Sequence, residues 1–508
     1  MTDSSAPDPD QAPPLKTRFP RIFPKKGGDT ISAQVGSDAR GVAVGKNIIQ
    51  IGTLVIPTWP VILLILILVG AGIFSYLRSL GPDKMSGAFN IAVADFGQLD
   101  ASGNQHSSAT GKLLSQRLFE GLKTEFDSLP AETRQNFQPQ VWNDSLPLSQ
   151  KRTRLGIIPG KTPQEREQAA CKLASQINAQ VVIYGNLPPE GDPAGFLPEY
   201  AICHNPALRM DADEIIGSHP LGQVVPSQLL ASLNDPSVAL SVNIKINSWI
   251  NSLSNISIGI MYDLLGRPDL ALPVFVQMKD QPGFDTEPGS EVIWFFIGRE
   301  NLWLKHLDDA EAAFKHALGI NPDYARARIG LGSAFYIRAQ DLAPSERLKT
   351  TDMQNALDQY QTASGAPPDT LGALIKPKAQ LGLGMVFLLQ GETNRQLSDL
   401  HAAEASFNKA RTTLSAIIPV LTEANQFRLL AQSYQALGNA DFQLGQLQEL
   451  QGNLQAAKPF YQNAGDSYAH CIEQGKAAPA DAILADQVID QLCIPYQKAA
   501  EAAYANIK

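Results

Sequence analysis

The spacing of hydrophobic positions changes character along the 508-residue chain. Residues 1–30 are polar and proline-rich, and they contain few side chains able to form a core. Apolar residues then form an unbroken run at Leu54–Leu77, followed by a short β-branched run at Phe89–Phe96. From about Ile256 to the C-terminus they recur with a helical period. Each change in pattern predicts a different kind of structure.

The apolar run predicts a transmembrane helix at residues 54–78. Leu54–Leu77 contains no charged residue and is long enough to cross about 30 Å of hydrocarbon. Trp59 and Tyr76 stand where interfacial aromatic side chains are expected. A buried core helix is the alternative, and the long polar leader argues against a cleaved signal peptide. The lipid bilayer is therefore a predicted partner of this segment.

The leader, residues 1–53, sets the predicted orientation. It carries more basic than acidic residues, whereas the whole chain has 41 basic and 50 acidic residues. Basic segments flanking a span stay on the cytoplasmic side. We therefore expect a single-pass inner-membrane protein with a cytoplasmic N-terminus and with its C-terminal domains in the periplasm or outside the cell. The absence of a basic stripe also argues against nucleic-acid binding.

Residues 88–247 have the pattern of a small α/β domain, which a linker at residues 79–87 joins to the apolar run. A buried strand is predicted at Phe89–Phe96, and Gln180–Gly185 predicts a later one. Thr162–Glu165 has the capping-box pattern of a helix start. An amphipathic helix is predicted between the first strand and this capping box. It places five apolar side chains on one face: Leu113, Leu114, Leu118, Leu122 and Phe126.

Three phrases of this region resemble a known family. They are the strand NIAVADFG, the helix GKLLSQRLFEGL and the later segment AACKLASQINAQVVIYGNL. Together they resemble the amino-terminal domain of TolB and related bacterial envelope proteins, over about residues 88 to 190. The resemblance implies a structural domain at the cell envelope. It transfers no catalytic residue, because the shared pattern consists of core positions.

The C-terminal part, residues 248–508, repeats a helical pattern. Its clearest unit has small and aromatic residues at the spacing of a 34-residue helical repeat: Trp294, Gly298, Ala310, Phe314, Ala317 and Pro322. Small residues let two helices approach, aromatic rings fill the space between them, and proline ends the unit. About five units follow this register. They resemble tetratricopeptide repeats, which stack into a solenoid.

This resemblance implies a concave surface, lined by the first helix of each repeat, that binds peptides or partner proteins. Seven side chains occupy such positions: Arg299, Arg326, Ser333, Tyr336, Lys378, Asn439 and Gln446. The three cations among them predict an acidic peptide or a C-terminal carboxylate as ligand. A merely solvated surface is the alternative for each residue. Charge reversal at Arg299 and Arg326 is then expected to abolish binding and leave the thermal melt unchanged.

The residue patterns predict no catalytic site, cofactor or metal. The histidines lack metal-ligand spacing, and Gly41–Asn47 lacks the spacing and the Ser or Thr of a phosphate loop. Cys203–His204 is interpreted as a structural pair, because adjacent residues rarely form a nucleophile and its base. Asp211, Asp213 and Glu214 lack the spacing of a calcium loop. A small-molecule ligand is not expected either.

The four cysteines leave two states open. Cys171, Cys203, Cys471 and Cys493 are too far apart for a CxxC site. They form either two disulfide bonds or buried thiols. A bond between Cys471 and Cys493 requires that the C-terminal helices bring the two residues together.

The predicted fold is therefore an α-helical tetratricopeptide-repeat solenoid with a small α/β domain, one transmembrane helix and a disordered leader. The predicted function is that of a membrane-anchored, non-catalytic scaffold that binds protein or peptide partners at the bacterial cell envelope. One alternative is a transmembrane signalling component that couples partner binding outside to the leader inside. The other is an enzyme with an unrecognised site in residues 88–247.

Overall fold

The computed structural model describes most of the chain beyond residue 82. The described residues are 83–147, 151, 153–203, 215–220, 224–232, 239–279, 289–366, 374–477 and 484–507. All of them belong to one compact unit, Leu80–Lys508.

The predicted fold class is corrected with respect to the membrane. No helix in the described part of the chain is both long and apolar enough to cross a bilayer. The predicted span at 54–78 and the leader at 1–53 lie outside the described residues. The 26-residue helix Ala239–Leu264 has the necessary length, but serines, asparagines and Lys245 interrupt its apolar sequence. The fold class is corrected accordingly: the described part of the chain is a helical array with an α/β part and contains no membrane-spanning helix, so it gives no support to the predicted single-pass inner-membrane location.

Eight strands are described in the α/β part: β1 (Asn90–Val93), β2 (Gly97–Leu99), β3 (Gln105–Ser107), β4 (Gln140–Trp142), β5 (Val181–Tyr184), β6 (Asn186–Leu187), β7 (Glu199–Ile202) and β8 (Gly217–Pro220). Five of them form a sheet with the order β4-β1-β5-β7-β8. In this sheet β1 pairs in parallel with β4 and with β5. Strand β7 is antiparallel to β5, and β8 is antiparallel to β7. A smaller sheet has the order β3-β2-β6.

The helices of this part are α1 (Ala109–Ser128), α2 (Ala131–Phe137), α3 (Pro163–Ile177) and α4 (Ser227–Ala231). Helix α1 confirms the predicted amphipathic helix, because it buries Leu114, Leu118, Leu122 and Phe126. Helix α3 begins with the predicted capping box. There the Thr162 side chain accepts a hydrogen bond from the Glu165 backbone, and the Glu165 carboxylate accepts one from the Thr162 backbone. All four residues of β1 are buried, as predicted.

The repeat part is a series of helix pairs. Its elements are α5 (Ala239–Leu264), α6 (Pro268–Lys279), α7 (Ser290–Trp303), α8 (Leu307–Ile320), α9 (Ala325–Gln340), α10 (Pro344–Arg347), α11 (Asp352–Ser364), α12 (Ile375–Gln396), α13 (Leu400–Glu423), α14 (Phe427–Leu450), α15 (Leu454–Lys476), a π-helix (Leu484–Cys493) and α16 (Ile494–Asn506). The pairs are α5–α6, α7–α8, α9–α11, α12–α13 and α14–α15. The π-helix and α16 pack on α15 and end the array.

Within the pairs, a glycine of the first helix lies under an aromatic ring of the second. A Cβ atom added at Gly298 would lie 2.7 Å from the ring of Phe314, which is fully buried. The same contact recurs with the same residue spacing in three other pairs: Gly259 with Phe275, Gly391 with Phe407, and Gly445 with Tyr461. In the pair α9–α11, where α10 is inserted, Gly332 lies under Tyr360. The predicted roles of Gly298 and Phe314 are confirmed.

A single hydrophobic core runs from the sheet into the first repeats. Helix α1 packs on α5. The Tyr200 hydroxyl on β7 donates to the Leu253 carbonyl oxygen on α5 at 3.2 Å, and the rings of Phe196 and Trp249 lie 6.1 Å apart. The predicted division at residue 247 falls within α5 (Ala239–Leu264). The sheet and the array therefore share apolar surface and are not joined by a free linker.

Both cysteine pairs are disulfide bonded, which resolves the alternative that the residue pattern left open. Cys171 on α3 bonds to Cys203 after β7, and Cys471 on α15 bonds to Cys493 at the end of the π-helix. Each bond closes a loop, with sequence separations of 32 and 22 residues. Loop closure restricts the unfolded chain and so stabilises the fold.

Substitution of Gly298 by alanine tests the glycine–aromatic contact. The added methyl group would push against the buried Phe314 ring, so we expect G298A to lower the free energy of unfolding by about 1–3 kcal/mol. The matched control is G319A, in a helix position where an added Cβ meets nothing within 4 Å. That variant should be neutral or slightly stabilising. Urea unfolding curves measure both, and equal stability of the two variants would contradict the proposed role of the contact.

Candidate protein-binding groove

The first helices of the pairs form the inner surface of the array. Helix α7 contacts α9, α9 contacts α12, and α12 contacts α14, whereas the second helices of successive pairs make at most marginal contacts in the described part of the chain. Stacked pairs curve toward the side on which their helices lie closer together. This inner surface is where the predicted binding residues were expected.

Arg299 is the first predicted binding residue that the structure buries. Its side chain is 1% exposed, and its Nε lies 3.0 and 3.2 Å from the two carboxylate oxygens of Asp263 on α5. Asp263 is fully buried as well. A guanidinium held in a buried ion pair is not presented to a partner, and breaking the pair leaves an uncompensated charge. The assignment of Arg299 to the binding surface is therefore corrected.

Arg326 is buried by the chain's own sheet. It is 3% exposed, and its Nη2 donates to the Ile216 carbonyl oxygen at 3.0 Å. Ile216 lies directly before the edge strand β8 and packs against the apolar cluster of α12 to α14. Its neighbour Ile215 is fully buried. The segment before β8 therefore covers α9 at Arg326, and the assignment of Arg326 to the binding surface is corrected too.

Ser333 and Tyr336 on α9 differ in their surroundings. The Ser333 hydroxyl donates to the Ile329 carbonyl oxygen at 3.0 Å and lies 2.9 Å from the Tyr360 hydroxyl of α11. It therefore faces the second helix of its own pair. Tyr336 is half-buried, and burial, with a smaller effect of Glu392, raises its pKa to about 12. Tyr336 is a neutral hydrogen-bonding group at physiological pH.

Lys378, Asn439 and Gln446 remain partly exposed. Lys378 lies on α12, and the other two lie on α14. Helices α12 and α14 contact each other along the inner surface. Binding of a partner at these three residues stays a prediction.

Sequence analysis missed two amides that belong with them. Gln432 and Gln435 are half-buried on α14, and their spacing to Asn439 and Gln446 places all four on one helix face. We call these four residues the amide stripe. The Gln432 Oε1 is buried without a hydrogen-bond partner among the described residues. The signal available in the sequence was the recurrence of amides at helical spacing.

Other faces of α14 pack against the neighbouring helices. Gly438 and Gly445 lie under the rings of Tyr468 and Tyr461 on α15. On another side, Asp441 pairs with Arg411 of α13 at 2.9 Å. Burial raises the pKa of Asp441 to about 6.

Cys203 and His219 of the α/β part are both held in structural contacts. Cys203 is held in a disulfide bond. His219 is fully buried, with its Nε2 2.6 Å from the Ile215 carbonyl oxygen. Burial, followed by the charge of Arg326, lowers the pKa of His219 well below its usual value. The acidic residues 211, 213 and 214 and residues 41–47 lie outside the described residues.

The α/β part contains a cavity, and its described residues form no cluster of metal ligands. No group of three potential metal-ligating side chains occurs in the described ranges. A cavity of about 560 Å³ lies between β2, the loop after β6 and the start of α1. Its charged lining consists of Glu190 and Asp192.

Comparison with known proteins identifies one repeat. The sequence pattern of the tetratricopeptide repeat family matches residues 292–324, which is the unit formed by α7 and α8. This match confirms the predicted repeat. No curated protein matches the chain.

Two solved structures are similar to about half of the chain. One is a thermophilic tetratricopeptide-repeat protein of Thermus thermophilus, with 20% identity and a TM-score of 0.30 over 49% of this chain and 99% of its own. The other is PilW, a widely conserved type IV pilus biogenesis factor, with 16% identity and a TM-score of 0.26 over 50% of this chain and 94% of its own. The comparisons support neither the TolB resemblance nor membrane anchoring.

The buried ion pair predicts the effect of replacing Arg299. Because R299L leaves the Asp263 carboxylate buried without its partner, we expect the free energy of unfolding to fall by about 3–5 kcal/mol. Replacing both residues, as in R299L with D263L, should recover much of the loss. The control K378L changes a half-exposed cation and should shift stability by less than about 1 kcal/mol. An unchanged urea midpoint for R299L would reject the structural role.

His219 predicts a pH dependence of stability. Its pKa is lowered in the folded chain, so below about pH 6.5 the unfolded chain binds more protons and stability falls. We expect wild type to lose more stability than H219F between pH 7.5 and 5.5, since phenylalanine does not titrate. Urea midpoints at the two pH values measure the difference. Equal losses in both proteins would show that His219 does not contribute.

Proposed function

We propose that the chain is a non-catalytic scaffold that binds an extended segment of a partner protein along the inner surface of α12 and α14. The amide stripe is the observation that carries this proposal. Each Asn or Gln side chain has both a donor and an acceptor, as does each peptide group of an extended chain. Gln432 and Gln435 extend this row of amides toward the start of α14.

The location of the proposed site follows from what covers the rest of the inner surface. The Ile216 carbonyl oxygen accepts a hydrogen bond from Arg326 on α9, and the Ile216 side chain packs against the apolar cluster of α12 to α14. Among the described residues, Lys378 on α12 and the amide stripe on α14 remain partly exposed, and we place the proposed site there. Lys378 would attract an acidic residue or a C-terminal carboxylate of the partner, as the sequence predicted for the concave surface of the repeats.

The proposal does not include a membrane anchor, because none of the described helices could span a membrane. The signalling alternative depended on the same span and is dropped with it. No observation in the α/β part favours the enzymatic alternative.

Selection from a phage-displayed library of dodecapeptides tests the proposal with the full chain as bait. For a selected peptide, we expect N439A with Q446A to weaken binding about tenfold or more, because each lost hydrogen bond costs about 0.5–1.5 kcal/mol. Fluorescence anisotropy measures the affinities.

The matched control replaces two exposed amides elsewhere, Gln451 and Gln462, by alanine. This variant should bind as wild type does, and both variants should melt at the wild-type temperature. The proposal fails when no peptide is selected, or when the selected peptides bind the stripe variant and the control equally well.

A further inference from the structure

The outer edge of β4 has backbone groups that face no other described strand. Strand β4 ends the order of the five-stranded sheet. The Gln140 N–H donates to the Phe89 carbonyl oxygen at 2.9 Å, so the peptide groups of Gln140 face β1. Peptide groups alternate in direction along a strand, and those of Val141 therefore point away from β1. No hydrogen bond from these groups to another described residue is found.

A groove of about 420 Å³ runs beside this edge. Phe119 and Phe126 of α1 line it and are 6% and 4% exposed. Val141 and Leu146 line it as well and are half-buried. The groove therefore combines free strand hydrogen-bonding groups with an apolar lining, which is what an added strand needs for its backbone and for alternate side chains.

The charges on the rim favour an acidic occupant. Lys84 and Lys123 are both exposed at the groove and have no ion-pair partner in the described part of the chain. Asp127 is the acidic residue in the lining. The rim therefore carries a net positive charge.

We infer that β4 is a docking edge for an extended acidic peptide segment of another protein. The segment pairs with the outward backbone groups of Val141, places an apolar side chain toward Phe119 and Phe126, and places carboxylates near Lys84 and Lys123. This surface lies at the opposite edge of the sheet from β8. It is separate from the amide stripe and does not depend on the proposed function.

Charge also decides between this partner and a second copy of the chain. Two copies that paired through β4 about a two-fold axis would each bring Lys84 and Lys123 to the same seam. Like charges at an interface are unfavourable. A short edge strand flanked by lysines resists such self-pairing, whereas an acidic segment meets no such repulsion.

Binding of a fluorescein-labelled octapeptide of alternating glutamate and valine to the full chain tests the inference. We expect saturable binding, measured by anisotropy, that weakens as salt is added. V141P removes the outward N–H and leaves the ladder to β1 in place, because proline is tolerated where an edge N–H faces solvent. It should weaken binding about tenfold.

Charge reversal provides a second variant, independent of the strand itself. K84E with K123E should weaken binding at least about tenfold. The control K172E, an exposed lysine on α3, should leave it unchanged, as should N439A with Q446A in the amide stripe. Thermal melts establish that each variant folds, and if V141P does not fold, the lysine variants decide.

Three results would overturn the inference. The first is equal binding of a peptide that alternates lysine and valine. The second is wild-type affinity in V141P or in the lysine double variant. The third is sedimentation of the peptide-free chain as a dimer that V141P dissociates, which would make a second copy the occupant.

Discussion

The close approach of paired helices over a glycine is the contact on which the rest of the array depends. Gly298 and Gly330 both face Phe314, so one ring joins its own pair to the next pair. A side chain at either glycine would hold the helices apart and expose apolar surface that the ring now covers. Because no pair can bury its apolar face alone, the stability of each pair depends on its interface with the neighbouring pairs.

This stacking gives the array an inner surface, but the sheet takes up its first half. The two arginines that suggested an acidic ligand, Arg299 and Arg326, are both buried by contacts to Asp263 and to the Ile216 carbonyl oxygen. Buried charges must find partners inside the protein, and these do. The surface left for a partner is polar and amide-rich instead of cationic.

Local patterns predicted the elements well, because a helix or strand depends mainly on its own residues. The buried face of α1, the capping box of α3 and the repeat at α7–α8 were all predicted. The same local reasoning predicted a transmembrane helix at residues 54–78, which lie outside the described part of the chain, and none of the described helices could span a membrane. The pairing of Cys471 with Cys493 was left open because it depends on how the π-helix packs against α15.

The sequence by itself determined the repeat and the glycine–aromatic spacing, because both are set by residues within one or two turns and one short connection. Only the tertiary structure decided which inner positions are free to bind. Ile216 meets Arg326 from 110 residues away, and no helical period contains that information. The tertiary packing also leaves Asn439 and Gln446 partly exposed while it buries Arg326.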